Sequence, residues 1–121
     1  MKAADAIDGL CDPFYVRGMN LVDMQASADR AVDLLKALGN RNRLMILCQL
    51  LAGERSVGDL AQSIGMRDTA VSQQLALLRK DGLVRARRDG QTIFYSLASA
   101  EAEQVIRTLY DIYCPPETVP A

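Results

Sequence analysis

Residues 57–97 have the sequence VGDLAQSIGMRDTAVSQQLALLRKDGLVRARRDGQTIFYSL. Apolar residues follow a helical spacing in two runs on either side of Gly65, which is the pattern of a helix-turn-helix. Gly82 ends the second run. Two short strands are then predicted around Asp89-Gly90, a dipeptide that favours a tight type I′ hairpin turn. We therefore predict a mainly α-helical fold with a β-hairpin wing, a winged helix-turn-helix.

The outward side of the second predicted helix carries short or amide side chains, which suit base edges in the major groove. These residues are Thr69, Ser72, Gln73 and Gln74. Basic side chains, which suit backbone phosphates, flank them. These residues are Arg67, Arg79, Lys80, Arg85, Arg87 and Arg88. The sequence therefore predicts double-stranded DNA as a partner.

The net charge is unusual for a protein with this partner, because the formal charge is −1 and the sequence pI is about 5.3, whereas nucleic-acid modules are usually basic. Residues 67–88 resolve the conflict, since all the basic residues named above lie there against only Asp68 and Asp81. Such sign separation steers one face toward DNA. Two alternatives remain open at this point, an ordinary solvated basic face and a winged helix that binds another protein.

A length of 121 residues indicates one small domain, which often relies on oligomerisation for part of its buried surface. Within residues 1–121 we expect an N-terminal arm at 1–26, a helix at 28–38, a second helix capped by Asn40, the helix-turn-helix at 57–81, the wing at 83–97 and a last helix at 99–113. The apolar stripe of the last helix is broader than one small chain needs. We therefore expect a homodimer that pairs through the first and last helices.

Several classes of function are disfavoured. No apolar run approaches the roughly 20 residues of a membrane helix, and the acidic start is unlike a signal peptide, so we expect a cytoplasmic protein without a membrane partner. The three cysteines form no disulfide framework, as is usual in a reducing compartment. The sequence has neither a Cys-x-x-Cys pair nor a histidine base beside a cysteine, so we predict neither an enzyme nor a cofactor.

A combination of short motifs carries a family resemblance. They are Leu35-Lys36-Ala37-Leu38, Arg43-Leu44-Met45-Ile46-Leu47, Ser56-Val57-Gly58-Asp59-Leu60-Ala61, Ala70-Val71-Ser72-Gln73-Gln74-Leu75, Asp81-Gly82-Leu83-Val84 and Tyr95-Ser96-Leu97. Over about residues 28–98 the chain resembles the ArsR/SmtB family of bacterial repressors. The resemblance implies a homodimer that leaves operator DNA when an inducer binds. The chain departs from the family pattern at Asn40-Arg41-Asn42, at Arg67, where we expect Asp68 to cap the recognition helix instead, and at Gln74.

The nature of the inducer depends on what the chain lacks. It has no histidine, whereas zinc, nickel and cobalt sensors of this family use histidine and carboxylate ligands on the last helix. The Cys-x-Cys pair of the soft-metal branch is also absent, because residues 43–51 read RLMILCQLL. The remaining candidates are Cys11, Cys48 and Cys114.

Cys48 and Cys114 fall in the middle of one predicted helix and at the end of another. Their placement resembles the dithiol branch of the family, the SqrR/BigR type, in which persulfides modify two such cysteines and join them by a sulfur bridge within one protomer. Sulfane-sulfur donors, namely persulfides and polysulfides, are then the expected inducers, and we expect the two sulfurs to lie close but not at ideal disulfide distance. The plainer alternative makes Cys48 a small buried apolar residue and Cys114 an incidental thiol.

Cys11 leaves one further alternative. In soft-metal sensors of the family an N-terminal cysteine reaches the helix that carries the other thiolates. Cys11, Cys48 and Cys114 could then form a three-thiolate site for arsenic(III) or a similar ion. An incidental exposed thiol is the other interpretation of Cys11.

Overall fold

The computed structural model describes residues 20–114 of the chain. The elements in chain order are α1 (Leu21–Leu38), α2 (Arg41–Leu50), β1 (Arg55–Ser56), α3 (Val57–Ile64), α4 (Asp68–Lys80), β2 (Val84–Asp89), β3 (Thr92–Leu97) and α5 (Ala100–Tyr113). The predicted winged helix-turn-helix is confirmed, with α3 and α4 as its two helices and β2 and β3 as its wing. Over this described range, none of the helices combines the length and the apolar character that crossing a membrane requires.

The described part of the chain divides into two compact units, with the boundary between Leu35 and Lys36, where we expected one domain. The division falls inside α1, whose buried residues, Ala37 and Leu38, both belong to the second unit. In the first unit α1 begins at Leu21, because the Asn20 side chain accepts a hydrogen bond from the Asp23 N–H at 2.9 Å and so caps the helix. The helix expected at 28–38 thus begins seven residues earlier, and residues 21–26 of the expected arm belong to it.

Polar side chains fix where the helices of the second unit begin. Asn40 caps α2 as predicted, and its Oδ1 accepts from the Arg43 N–H at 3.0 Å. Ser56 caps α3 through the Asp59 N–H at 3.1 Å. Ser99 caps α5 in the same way. Each cap satisfies one backbone N–H that a helix start would leave without a partner.

The recognition helix α4 starts differently. Arg67 occupies its cap position and makes no side-chain cap hydrogen bond. Asp68 is already helical, so the expectation that Asp68 caps the helix is wrong. Its carboxylate instead lies in the first turn, where the positive end of the helix dipole favours a negative charge.

The core of the second unit lies where α2, α3, α4 and α5 meet. The fully buried large side chains are Ile46, Leu47, Leu60, Val71, Leu75, Leu78 and Ile106. Gly65 makes the turn between α3 and α4 with φ of 80°, a left-handed conformation that suits glycine. Because α4 buries Val71, Leu75 and Leu78, its opposite side faces outward.

The wing belongs to a three-stranded antiparallel sheet with the order β1-β3-β2. The short strand β1 was not predicted. Asp89 pairs with Thr92, so the hairpin loop consists of Gly90 and Gln91, one residue later than the predicted Asp89-Gly90. Gly90 has φ of 66°, and its left-handed backbone lets the chain reverse between the twisted strands.

Candidate DNA-binding surface and dithiol site

The outward side of α4 carries three of the four residues expected to contact bases. Thr69, Ser72 and Gln73 are all exposed, and they lie away from the buried stripe of Val71 and Leu75. A helix fits the major groove, and short hydroxyl and amide side chains on its outer face reach base edges. The geometry of α4 is therefore that of a recognition helix.

Gln74 does not share this exposure. It is half-buried, and among the described residues its Oε1 atom is buried without a hydrogen-bond partner. At about 100° per residue, Gln74 lies roughly 60° around the helix from Val71, so it flanks the core. The outward orientation that we expected for Gln74 is wrong, and this helical geometry could have revealed it.

Exposed cations surround the outward side of α4. Arg67 precedes the helix, Arg79 and Lys80 end it, and Arg85 and Arg88 lie on β2; all are exposed. Arg85 also donates from Nε to Ser96 Oγ at 3.4 Å. Exposed basic side chains are what phosphate contacts require, and the phosphate-binding role of these residues stays a prediction.

Arg87 is engaged differently from the other basic residues of the wing. Its Nε and Nη2 atoms donate to Glu54 Oε2 at 3.0 Å and Oε1 at 2.8 Å. Its guanidinium carbon lies 5.0 Å from the centre of the Phe94 ring, close enough for a cation–π contact. The hydrogen bond from Arg87 lowers the pKa of Glu54 below its usual value. Sequence reasoning missed Glu54, because it lies 33 residues from Arg87 and next to the unpredicted strand β1.

The two cysteines predicted to form a dithiol lie on helices that pack against each other. Cys48 is half-buried near the end of α2, and α2 packs on α5. Cys114 follows α5 and is exposed, and its N–H donates to the Tyr110 carbonyl at 2.7 Å. Both cysteines are free thiols.

The pKa of Cys48 is affected by Cys114. Burial raises the pKa of the Cys48 thiol above its ordinary value, and the nearby charge of Cys114 raises that pKa further. Both effects disfavour the thiolate, the first through desolvation and the second through repulsion of like charges. Cys48 therefore lies within range of the charge of Cys114, and the expected short separation of the two sulfurs stays a prediction.

Residues 20–114 contain no group of three or more histidine, cysteine or acidic side chains that could hold a metal ion. Cys11 lies outside the described residues. The three-thiolate site of Cys11, Cys48 and Cys114 thus stays a prediction.

Comparison with known proteins agrees with this architecture. Residues 40–86 match the family of bacterial regulatory proteins called the arsR family. The transcriptional activator HlyU of Vibrio cholerae is 47% identical over 102 residues, which cover 83% of this chain and 94% of that protein. The biofilm growth-associated repressor of Xylella fastidiosa is 44% identical over 99 residues, covering 82% of this chain and 87% of the repressor.

A solved structure extends the similarity to three dimensions. Reduced HlyU from Vibrio cholerae superposes with a TM-score of 0.75 at 47% identity, covering 78% of this chain and 99% of that one. By name, one of these relatives is a transcriptional activator and the other is a repressor. The chain belongs to the arsR family of bacterial regulatory proteins and is a DNA-binding transcriptional regulator.

Proposed function

We propose that the chain is a repressor that leaves operator DNA when persulfides join Cys48 to Cys114 through a bridge of sulfur atoms. The observation that carries this proposal is the pair of free, electrostatically coupled thiols on the packed helices α2 and α5. Either thiol alone would be unremarkable, since buried cysteines often act as small apolar residues. The effect of the Cys114 charge on the Cys48 thiol supports treating the two as one chemical site.

In the DNA-bound state α4 lies in the major groove. Thr69, Ser72 and Gln73 contact base edges there, because they are the exposed polar residues of its outer face. The phosphate contacts come from the exposed basic residues around that face. These are Arg67, Arg79, Lys80, Arg85 and Arg88.

The sulfur chemistry begins at Cys114, because it is the exposed thiol of the pair. Its thiolate attacks the outer sulfur of a persulfide RSSH; a new S–S bond forms at Cys114, and the thiol RSH leaves. The resulting hydropersulfide repeats the attack on a second RSSH and gains another sulfur, again releasing RSH. Cys114 then carries a chain of two added sulfurs.

Cys48 closes the bridge. Its thiolate attacks the first added sulfur on Cys114, a three-sulfur link forms between the residues, and the terminal sulfur leaves as hydrogen sulfide. Two thiols and two RSSH thus give one three-sulfur bridge, two RSH and one hydrogen sulfide, so persulfide is the only oxidant needed. A three-sulfur link spans a separation that would strain a direct disulfide.

The bridge acts on DNA through α2. This helix packs against α5, which ends at Cys114, and it also packs against the recognition helix α4. Packed helices shift as units because protein interiors are close-packed. A covalent link between α2 and α5 therefore shifts α2, and with it the position of α4, which packs against α2.

The same proposal includes a homodimer that pairs through α1 and α5. Leu21 and Val22 on α1 are 64% and 71% exposed, and Ile112 and Tyr113 on α5 are 61% and 76% exposed. Large apolar side chains exposed on two helices are typical of an association surface. In a twofold dimer, each of the two α4 helices binds one half-site of the operator.

The test uses an operator selected from random DNA duplexes and fluorescence anisotropy with the reduced protein. A persulfide should release the DNA, and the mass of the protein should show one added sulfur bridging two cysteines. Peroxide supplies only a direct disulfide or a sulfenic acid and should release the DNA poorly. Release by arsenite alone would favour the three-thiolate metal site instead, and release by peroxide as effective as by persulfide would contradict the proposed selectivity.

A further inference from the structure

The ion pair between Glu54 and Arg87 spans the whole width of the small sheet. Glu54 directly precedes β1, Arg87 lies in β2, and β3 runs between these two strands. Both carboxylate oxygens accept from the guanidinium, at 2.8 and 3.0 Å. This forked geometry is directional and among the stronger forms of ion pair.

The register of the sheet places the two side chains on one face. Arg87 is the Cα partner of Phe94, and Phe94 is also the Cα partner of Ser56. Alternate residues of a strand share a face, so Glu54, two residues before Ser56, lies on the same face as Arg87. The Arg87 guanidinium carbon also lies over the Phe94 ring on β3, 5.0 Å from its centre, where a cation–π contact adds to the ion pair.

This arrangement commits the donors of Arg87 to a carboxylate. A phosphate contact would require Arg87 to leave Glu54 or would bring the negative Glu54 toward the DNA, where like charges repel. Arg85 on the same strand faces no such competition, because its hydrogen-bond partner is the neutral hydroxyl of Ser96. The neighbouring Arg88 is exposed.

We propose that Arg87 is a positioning residue: its bond to Glu54 fixes the orientation of the wing from which Arg85 and Arg88 contact phosphates, and Arg87 itself contacts none. The expectation that Arg87 binds phosphate directly is thereby revised. Arg55, the residue after Glu54, donates from Nε to the Gln49 carbonyl at the end of α2, at 3.3 Å. The ion pair of Glu54 with Arg87 therefore connects the wing to a segment that is itself bonded to α2. The inference rests on DNA binding through the wing and is independent of the sulfur chemistry.

The decisive experiment is Glu54→Ala, because two models of Arg87 predict opposite signs. If Arg87 served as a phosphate contact, removal of a negative charge beside it would leave DNA binding unchanged or tighten it. If Glu54 orients the wing, the same substitution weakens DNA binding by about threefold to fivefold, the scale expected for one exposed ion pair. Unchanged or tighter binding by Glu54→Ala would overturn the proposal.

The salt dependence of binding separates positioning from contact. Loss of one phosphate contact lowers the slope of log K against log salt by about 0.9. We expect Arg87→Ala to weaken binding as much as Glu54→Ala does while the slope stays at its original value. The double variant should be no weaker than either single variant, because both remove the same pair. A reduced slope in Arg87→Ala would count decisively against a positioning role.

Matched controls guard against trivial effects. Glu103→Ala removes another carboxylate that pairs with an arginine, Arg107 at 3.2 Å on α5, and should leave DNA affinity unchanged. The exchanged pair, Glu54→Arg with Arg87→Glu, should recover most of the lost affinity because the link across the sheet is restored. Thermal unfolding of each variant verifies that the protein is folded, which the exposure of both side chains favours. Failure of the exchanged pair to recover binding, in folded protein, would also contradict the proposal.

Discussion

Cys48 is half-buried on α2 and Cys114 is exposed after α5, yet the charge of Cys114 contributes to the raised pKa of Cys48. An exposed thiol therefore acts on a half-buried one within the same chain. In such a pair the exposed thiol reacts with reagents from solution, and the shielded thiol reacts mainly with its neighbour. The first two predictions follow from this relationship.

Replacement of either dithiol cysteine should abolish the response but not DNA binding. Cys48→Ser and Cys114→Ser each leave one thiol, which cannot close a bridge, while neither residue lies on the outer face of α4. Titration of operator DNA by anisotropy, with and without a persulfide, measures both properties. Cys11→Ser is the matched control and should respond normally. Persulfide-dependent release by Cys114→Ser would rule out the bridge.

The reactivity of Cys48 should depend on Cys114. The thiolate is the nucleophile, so a raised pKa means that alkylation of Cys48 accelerates only at a pH above the range usual for a free thiol. In Cys114→Ser the repulsion is gone and the profile should move to lower pH, but only part of the way, because desolvation is the larger cause. Mass spectrometry of the Cys48 peptide after iodoacetamide pulses at several pH values measures this. Superimposed profiles of the two proteins would show that the thiols are not coupled.

Base recognition and phosphate binding should separate in two variants. Gln73→Ala should reduce preference for the selected operator over random DNA by about 1–3 kcal/mol, the value of one good base contact. Arg88→Ala should weaken all sequences alike and lower the salt slope by about 0.9. Competition binding with both DNAs at several salt concentrations provides the comparison. Uniform loss in both variants would mean that α4 does not discriminate bases.

Charge on the exposed apolar surface of α5 should disrupt the dimer. Tyr113→Glu places a carboxylate where the proposed interface buries an aromatic ring, and an unpaired buried charge is costly. Sedimentation velocity at micromolar concentration should show a dimer for the original protein and a monomer for the variant. Leu77→Glu is a suitable control, because Leu77 is 50% exposed but lies on α4. A monomeric original protein would exclude the dimer outright.

Loss of the cap of α2 should destabilise the fold modestly. In Asn40→Ala the Arg43 N–H loses its side-chain acceptor, and such a loss typically costs about 1 kcal/mol of unfolding free energy. Urea denaturation measures the change. Asn42→Ala, inside the same helix, should have a smaller effect, and equal destabilisation by both variants would argue against capping as the cause.

Local patterns were enough to predict the winged helix-turn-helix. The apolar spacing around Gly65 and the asparagine before α2 act over three or four residues, and the structure has both features where the sequence indicated them. The first turns of α1, residues 21–27, were missed because LVDMQAS has too few apolar residues for a helical spacing to show. The Asn20 cap was the available signal.

Long-range features could not be derived in the same way. Strand β1 has only two residues, too few for an alternating pattern, and its existence depends on pairing with β3. The contact of Glu54 with Arg87 depends in turn on that pairing. Gln74 was misjudged for a different reason: its amide chemistry suited DNA, but the packing of α4 turned it partly inward.

The exposed residues of the outer face of α4 can change during evolution without loss of the fold. Thr69, Ser72 and Gln73 are exposed, and substitutions at exposed positions without special contacts usually change stability by less than about 0.5 kcal/mol. Under the proposed base contacts, a lineage can therefore exchange these side chains, and with them its target promoters, while the buried residues of the same helix keep the fold intact. Gene duplication followed by drift at these positions would yield regulators with the same inducer and different regulons.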